Sequence, residues 1–109
     1  MAVASALMTV EEFRQLPESG DLHELRHGEL IRMSRPKRKH ARIQIRLVKF
    51  LLPLAESFGE VSSEYAFRPL PEHELWSADV GVVSRRRADA IDPDDNLHGA
   101  PEIVIEVLS

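Results

Sequence analysis

The sequence predicts a mixed α/β (α+β) domain, and three observations carry that expectation. Apolar residues recur at helical spacing between Ile43 and Phe58, strand-like runs dominate from Glu60 onward, and a hairpin signature precedes both. At 109 residues there is room for one small domain. It is expected over residues 9–109, behind a flexible leader of residues 1–8 in which Met8 is an alternative start.

The elements follow in order. Thr9-Val10-Glu11-Glu12 is a capping box, since Thr9 can accept from a first-turn N–H while Glu12 reaches back. It opens a short helix to about Leu16, ended by Pro17. HELRHGELIRM reads as two strands about a His27-Gly28 turn, with Leu22, Leu25, Leu30 and Met33 as apolar contacts and Glu29 facing solvent. One long helix follows, with Ile43, Leu47, Val48, Leu51, Leu54, Ala55 and Phe58 on its apolar side. Pro53 predicts a kink or break near Phe50, and Gly59 a C-cap. GEVSSEYAFRPL and HELW read as paired strands joined through Pro69-Leu70-Pro71, Asp79–Ser84 as a third strand and Ile103–Leu108 as a fourth. Between the last two, RRRADAI makes a helical turn and DPDDN a polar loop.

Composition excludes several classes. Without cysteine there is no disulfide framework, thiolate nucleophile or thiolate metal site. No run approaches 18 apolar residues, and MAVASALMTVEEF lacks a basic start, so a cytoplasmic location is expected. The net charge of -4 hides a segregation: Arg32 to Lys49 holds eight basic residues and no acid, the remaining stretches six basic and all 18 acidic residues. Such a segment suits nucleic acid, with a solvated helix face as the competing reading.

Two acids stand in apolar strands. Ile103–Leu108 is apolar on both faces apart from Glu106, which predicts a central strand covered above and below. An ionised carboxylate there costs several kcal/mol unless it is protonated, paired, exposed at a strand end or bound to a cation. Asp79 poses the same problem directly before Val80-Gly81-Val82-Val83. Two carboxylates on neighbouring strands can converge on one hard cation such as Mg²⁺. Pairing of each acid with an arginine, or a place at a solvent edge, is the alternative.

In MTVEEFRQLPE, HELRHGELIRM, the histidine at His40, SADVGVVS and PEIVIEVLS, in that order, the chain resembles the putative restriction endonuclease family of the PD-(D/E)XK nuclease superfamily. The resemblance implies a restriction endonuclease-like mixed sheet with an N-terminal hairpin and one long helix packed on it, incomplete at the C-terminus. It implies a DNA endonuclease that uses Mg²⁺ (or Mn²⁺). Asp79 matches the aspartate of the "PD" element, although Ala78 stands where proline is usual, and Glu106 matches the acid of "(D/E)XK". Glu24 matches an upstream acid near the same site, which makes Glu24, Asp79 and Glu106 the catalytic candidates and Asp79 and Glu106 the metal ligands. Arg35, Lys37, Arg38, Lys39, His40, Arg42 and Arg46 are the expected nucleic-acid contacts, with a helix cap or surface role as the plainer reading of His40.

The pattern breaks at the lysine. Its position is Leu108, and in the family the equivalent lysine comes from a helix after the "EVLS" strand, beyond Ser109. The resemblance therefore also implies an alternative: a catalytically dead binding module, folded as a homodimer or against another protein that covers the surface near residues 103–108. No residue fills the lysine's role by sequence match, the chain's lysines being Lys37, Lys39 and Lys49.

Overall fold

The computed structural model describes residues 7–108, which form three helices and six strands in two sheets. This is the mixed architecture the sequence predicts. Of the expected leader, residues 1–6 lie outside the described residues. Met8 is held: its N–H donates to the Gly28 carbonyl at 3.0 Å, and its own carbonyl lies 3.0 Å from His73 Nδ1.

Helix α1 spans Val10–Arg14 and carries the full capping box, with Thr9 Oγ1 accepting from the Glu12 N–H and Glu12 Oε1 from the Thr9 N–H. Strands β1 (Leu22–Arg26) and β2 (Glu29–Met33) pair antiparallel around His27 and Gly28, whose φ of +51° and +69° match a primed hairpin turn. Of the four apolar contacts expected here, only Leu25 is buried; Leu22, Leu30 and Met33 are exposed. The reason is topological. The hairpin is a sheet of its own, tied to the rest by the reciprocal Leu25–Leu75 main-chain hydrogen bonds at 3.0 and 2.9 Å.

Helix α2 runs unbroken from Arg38 to Ala55. Pro53 lies so near the end that it deprives only the Lys49 carbonyl of a donor, and no break follows. Gly59 is not the helix cap: Glu56 is, and Gly59 opens β3. The helix turns His40, Gln44, Leu47, Val48, Leu51 and Ala55 inward, while Ile43, Leu54 and Phe58 of the expected apolar set stay exposed.

Strands β3 (Gly59–Arg68), β4 (Trp76–Ser84), β5 (Leu97–His98) and β6 (Ile103–Ile105) form the main sheet in the order β5-β3-β4-β6. Two expectations change here. Trp76 and the run Asp79–Ser84 belong to one continuous strand, so HELW is no separate element. Strand β6 is an edge rather than a centre: it pairs with β4 alone among the described strands, and Ile103 is 49% exposed. The short helix α3 (Arg85–Asp89) falls where RRRADAI predicts a turn, and β5 grows from the end of the polar loop. Tyr65, Phe67, Ala78, Val83 and Leu97 form the core, with Trp76, Ala88 and Ile91 packed on it. Gly81 makes this packing possible, because a Cβ there would sit 2.8 Å from Tyr65 Cβ.

Candidate active site

Asp79 sits in β4 between fully buried neighbours, Ala78 and Val80. Two strands flank it, and both ladders change at its level. On one side β3 and β4 pair in constant register from Gly59↔Ser84 to Phe67↔Trp76, but the position that would join Glu64 to Asp79 carries no bridge. Glu64 has φ +50°, a left-handed conformation that a glutamate adopts only at a cost. On the other side the pairs Val82↔Ile103, Gly81↔Val104 and Val80↔Ile105 lead, one step on, to Asp79 facing Glu106. Facing residues of an antiparallel pair present their side chains on one face. The two acids therefore converge.

Both Asp79 carboxylate oxygens are engaged. Oδ2 accepts from the Val107 N–H at 2.7 Å, and Oδ1 lies 3.2 Å from His40 Nε2. The main-chain carbonyl of Asp79, released by the gap in the ladder, accepts from Gln44 Nε2 at 2.7 Å. The same amide donates to Glu64 Oε1 at 2.8 Å. Gln44 follows His40 by one helical turn and is 5% exposed, so one face of α2 supplies both contacts.

Glu106 is exposed as a residue, yet its carboxyl is partly desolvated against Asp79. Burial first, then the negative charge of Asp79 and more weakly that of Glu24, lift its pKa above the usual glutamate range. Glu24, 4% exposed, stands behind this pair with both oxygens occupied. Oε1 accepts from Arg26 at 3.0 and 2.8 Å, and Oε2 accepts from the Ser77 N–H at 2.7 Å. Arg26 in turn lies over the Trp76 ring, 4.5 Å from its centroid. Glu24 thus fastens the hairpin to β4 and reaches Glu106 through its charge.

The structure thereby brings Asp79, Glu106 and His40 together, with Glu24 behind. It turns His40 away from the basic residues it was grouped with. Arg35, Lys37, Arg38, Lys39, Arg42 and Arg46 are exposed and make no contact with Asp79. Gln44 and Glu64 join the site beyond the residues expected from the sequence. Gln44 had a signal, being the polar residue amid the helix's apolar spacing, one turn after His40. Glu64 had none, because its backbone conformation is invisible in composition.

The donor set is oxygen-rich, which suits a hard divalent cation that keeps several waters and takes one or two carboxylates. The lifted Glu106 carboxyl agrees, since like charges in contact call for a proton or a cation. Among the described residues no three acidic or histidine side chains close into a cage. The fit is to a pair of carboxylates and not to an all-protein cage.

Residues 10–109 match the sequence profile of Uma2, described as "Putative restriction endonuclease". A solved structure, a putative nuclease belonging to DUF820 from Anabaena variabilis ATCC 29413, shares the fold at a TM-score of 0.73 and 23% identity. The match covers 94% of this chain and 59% of that one, so the chain spans less than two thirds of its neighbour's length. No curated protein matches the sequence.

Proposed function

Because the chain belongs to the Uma2 family, described as putative restriction endonucleases, we propose that Asp79 and Glu106 are the acid pair of a divalent-metal-dependent phosphodiesterase acting on DNA. The observation that supports this most is the register, which sets Asp79 opposite Glu106 while Asp79 Oδ2 rests on the Val107 N–H. Asp79 and Glu106 would hold Mg²⁺ or Mn²⁺, which when bound would supply Lewis acidity toward the phosphate and lower the pKa of water. In that hydrolysis the water oxygen bonds to phosphorus as the P–O bond to the leaving sugar breaks, and one water proton passes to the leaving oxygen, giving a phosphate monoester and a hydroxyl.

The chain's own residues set the geometry. The Val107 N–H and His40 fix the two Asp79 oxygens, and Gln44 fixes its backbone, so the carboxylate is oriented before substrate arrives. Glu24 anchors the β1–β2 hairpin beside the pair through Arg26 and Ser77. Among the described residues, His40 is the basic side chain in contact with the Asp79 carboxylate, at 3.2 Å.

A specific observation favours the second reading, a binding module without catalysis: Lys39 and Lys49 lie on exposed faces of α2 away from Gln44, and Leu108 occupies the motif position. The exposed β6 edge, with Ile103 and Val104, supports association with a further protein chain, read out by sedimentation at micromolar concentration.

Supercoiled and single-stranded DNA incubated with Mg²⁺ or Mn²⁺ test the hydrolytic reading. Nicking that disappears in both Asp79→Ala and Glu106→Ala is the expected result. Equal product from wild type and both variants would sink it. A metal-dependent rise in the melting temperature, absent in both variants, is the matching binding readout.

A further inference from the structure

We infer that the outer face of α2 is a phosphate-backbone surface for duplex DNA, distinct from the face that meets the acid pair. At 3.6 residues per turn, Arg42 and Arg46 stand roughly 160° from Gln44, and Arg38 and Lys49 about 120° and 140° from it. The buried and half-buried side chains of the helix, from His40 to Ala55, all fall within about 60° of Gln44. The side chains that touch Asp79, His40 and Gln44, and the stripe of cations are thus separated by the width of the helix, roughly 10 Å.

Pairing sets the stripe apart. Arg14, Arg26, Arg32, Arg68 and Arg87 each sit on a carboxylate, and Arg35 and Arg85 each donate to a main-chain carbonyl. Among the described residues, Arg38, Lys39, Arg42, Arg46 and Lys49 have neither a carboxylate nor a main-chain carbonyl partner for their side chains, an isolation shared outside the helix by Lys37 and Arg86.

The stripe also opposes its own helix. Arg38, Arg42 and Arg46 repeat every four residues, so like charges are stacked as neighbours. Lys37, Arg38 and Lys39 crowd the N-terminal end, where the helix dipole disfavours cations, with no acid in the first turn and no side-chain cap. Every local electrostatic rule is broken in one direction. An external polyanion reverses each of these costs, and water does so only by screening.

From Arg38 to Lys49 the stripe rises about 16 Å, on the order of five phosphate spacings along one strand of a duplex. The occupant is therefore a regular phosphate backbone, bound without reading bases. This rests on the reading of DNA as the substrate, but it needs no hydrolysis and no metal.

Anisotropy of a labelled 20-base-pair duplex, in chelator without divalent ions, tests it. Four cations on phosphates give a slope of log affinity against log salt near −3.6, or about a hundredfold loss between 50 and 200 mM salt. The Arg42→Gln/Arg46→Gln pair should bind at least about tenfold more weakly at low salt, with the slope shallower by about 2. The Arg38→Gln/Lys49→Gln pair, exposed and equally remote from the core, repeats the test should the first lose its melting transition. The Asp79→Asn/Glu106→Gln protein should keep the duplex with an unchanged slope.

Stripe variants that bind like wild type would overturn the inference, as would loss of binding in the acid variant. So would self-association of the wild type that vanishes in the stripe variants while duplex affinity stays, which assigns the face to a second copy. Binding with no cleavage under Mg²⁺ removes the hydrolytic reading and leaves this one standing.

Discussion

Carboxylates at two places beside the main sheet meet opposite electrostatic fates. Asp95, in the loop before β5, is surrounded by donors: Arg14 at 2.8 Å, Arg68 at 2.9 and 3.1 Å, His98 at 2.8 Å and the Asn96 N–H at 2.7 Å. Burial pushes its pKa up, but the hydrogen bonds from Arg14, Asn96, His98 and Arg68 outweigh that and hold the carboxyl well below the usual range. At the acid pair, burial and the neighbouring Asp79 charge push Glu106 the other way. One cluster has its charge compensated from within the fold. The other leaves negative charge that the fold does not balance. Compensation ties α1 to the sheet edge and serves stability, while the uncompensated pair is where a ligand has work left to do.

Substitution at each cluster should break in a different observable. Asp79→Asn should lower DNA cleavage by about 10³-fold, roughly 4 kcal/mol of activation free energy, with little loss of melting temperature. Asp95→Asn should show the converse, with cleavage spared. With its side chain 22% exposed, Asp95 lies between a surface and a buried ion pair. A loss of about 2 kcal/mol, or near 10 °C in melting temperature, is expected. Equal thermal losses in the two variants would erase the distinction.

Acid titration sharpens it. Asp95 has a folded pKa below its unfolded one, so its stabilisation is present above about pH 4 and drains away as pH falls toward the folded value. Glu106, raised, has the opposite sign: its contribution is present below the ordinary glutamate pKa and is lost as pH rises. Wild type should therefore lose stability below pH 4 more steeply than Asp95→Asn, measured by urea unfolding.

Smaller effects follow. Gln44→Leu leaves the Asp79 carbonyl and Glu64 carboxylate without their donor, at a cost of about 1–2 kcal/mol in urea unfolding. Glu106→Gln should raise the metal-free melting temperature by about 1–2 °C, since one repelling charge is gone. A decrease would show Glu106 to be a structural acid like Asp95.

Much of the local structure was legible in the letters. The capping box at Thr9, the primed turn at His27-Gly28 and the α3 turn depend on neighbours three or four residues away, so a short window contains the cause. Asp79 and Glu106 were legible as anomalies because a carboxylate in an apolar run is costly wherever the run ends up. What went astray was relational. Leu22, Leu30 and Met33 look like core residues by pattern, yet among the described residues no second layer covers the hairpin that carries them. Ile103–Leu108 looks central, yet among the described strands β6 is the edge. Apolar periodicity reports which face wants cover, and only packing decides whether cover is there.

The sequence by itself determined the capped first helix, the hairpin turn and the long helix, the two acids worth explaining and the concentration of cations between Arg32 and Lys49. Tertiary structure alone decided that His40 leaves that cationic segment for Asp79, and that Gln44 and Glu64 meet across the open ladder. It also decided that the remaining stripe faces the opposite way. The physical reason is that residues four apart on a helix share a face, whereas which face meets the sheet depends on strands far along the chain.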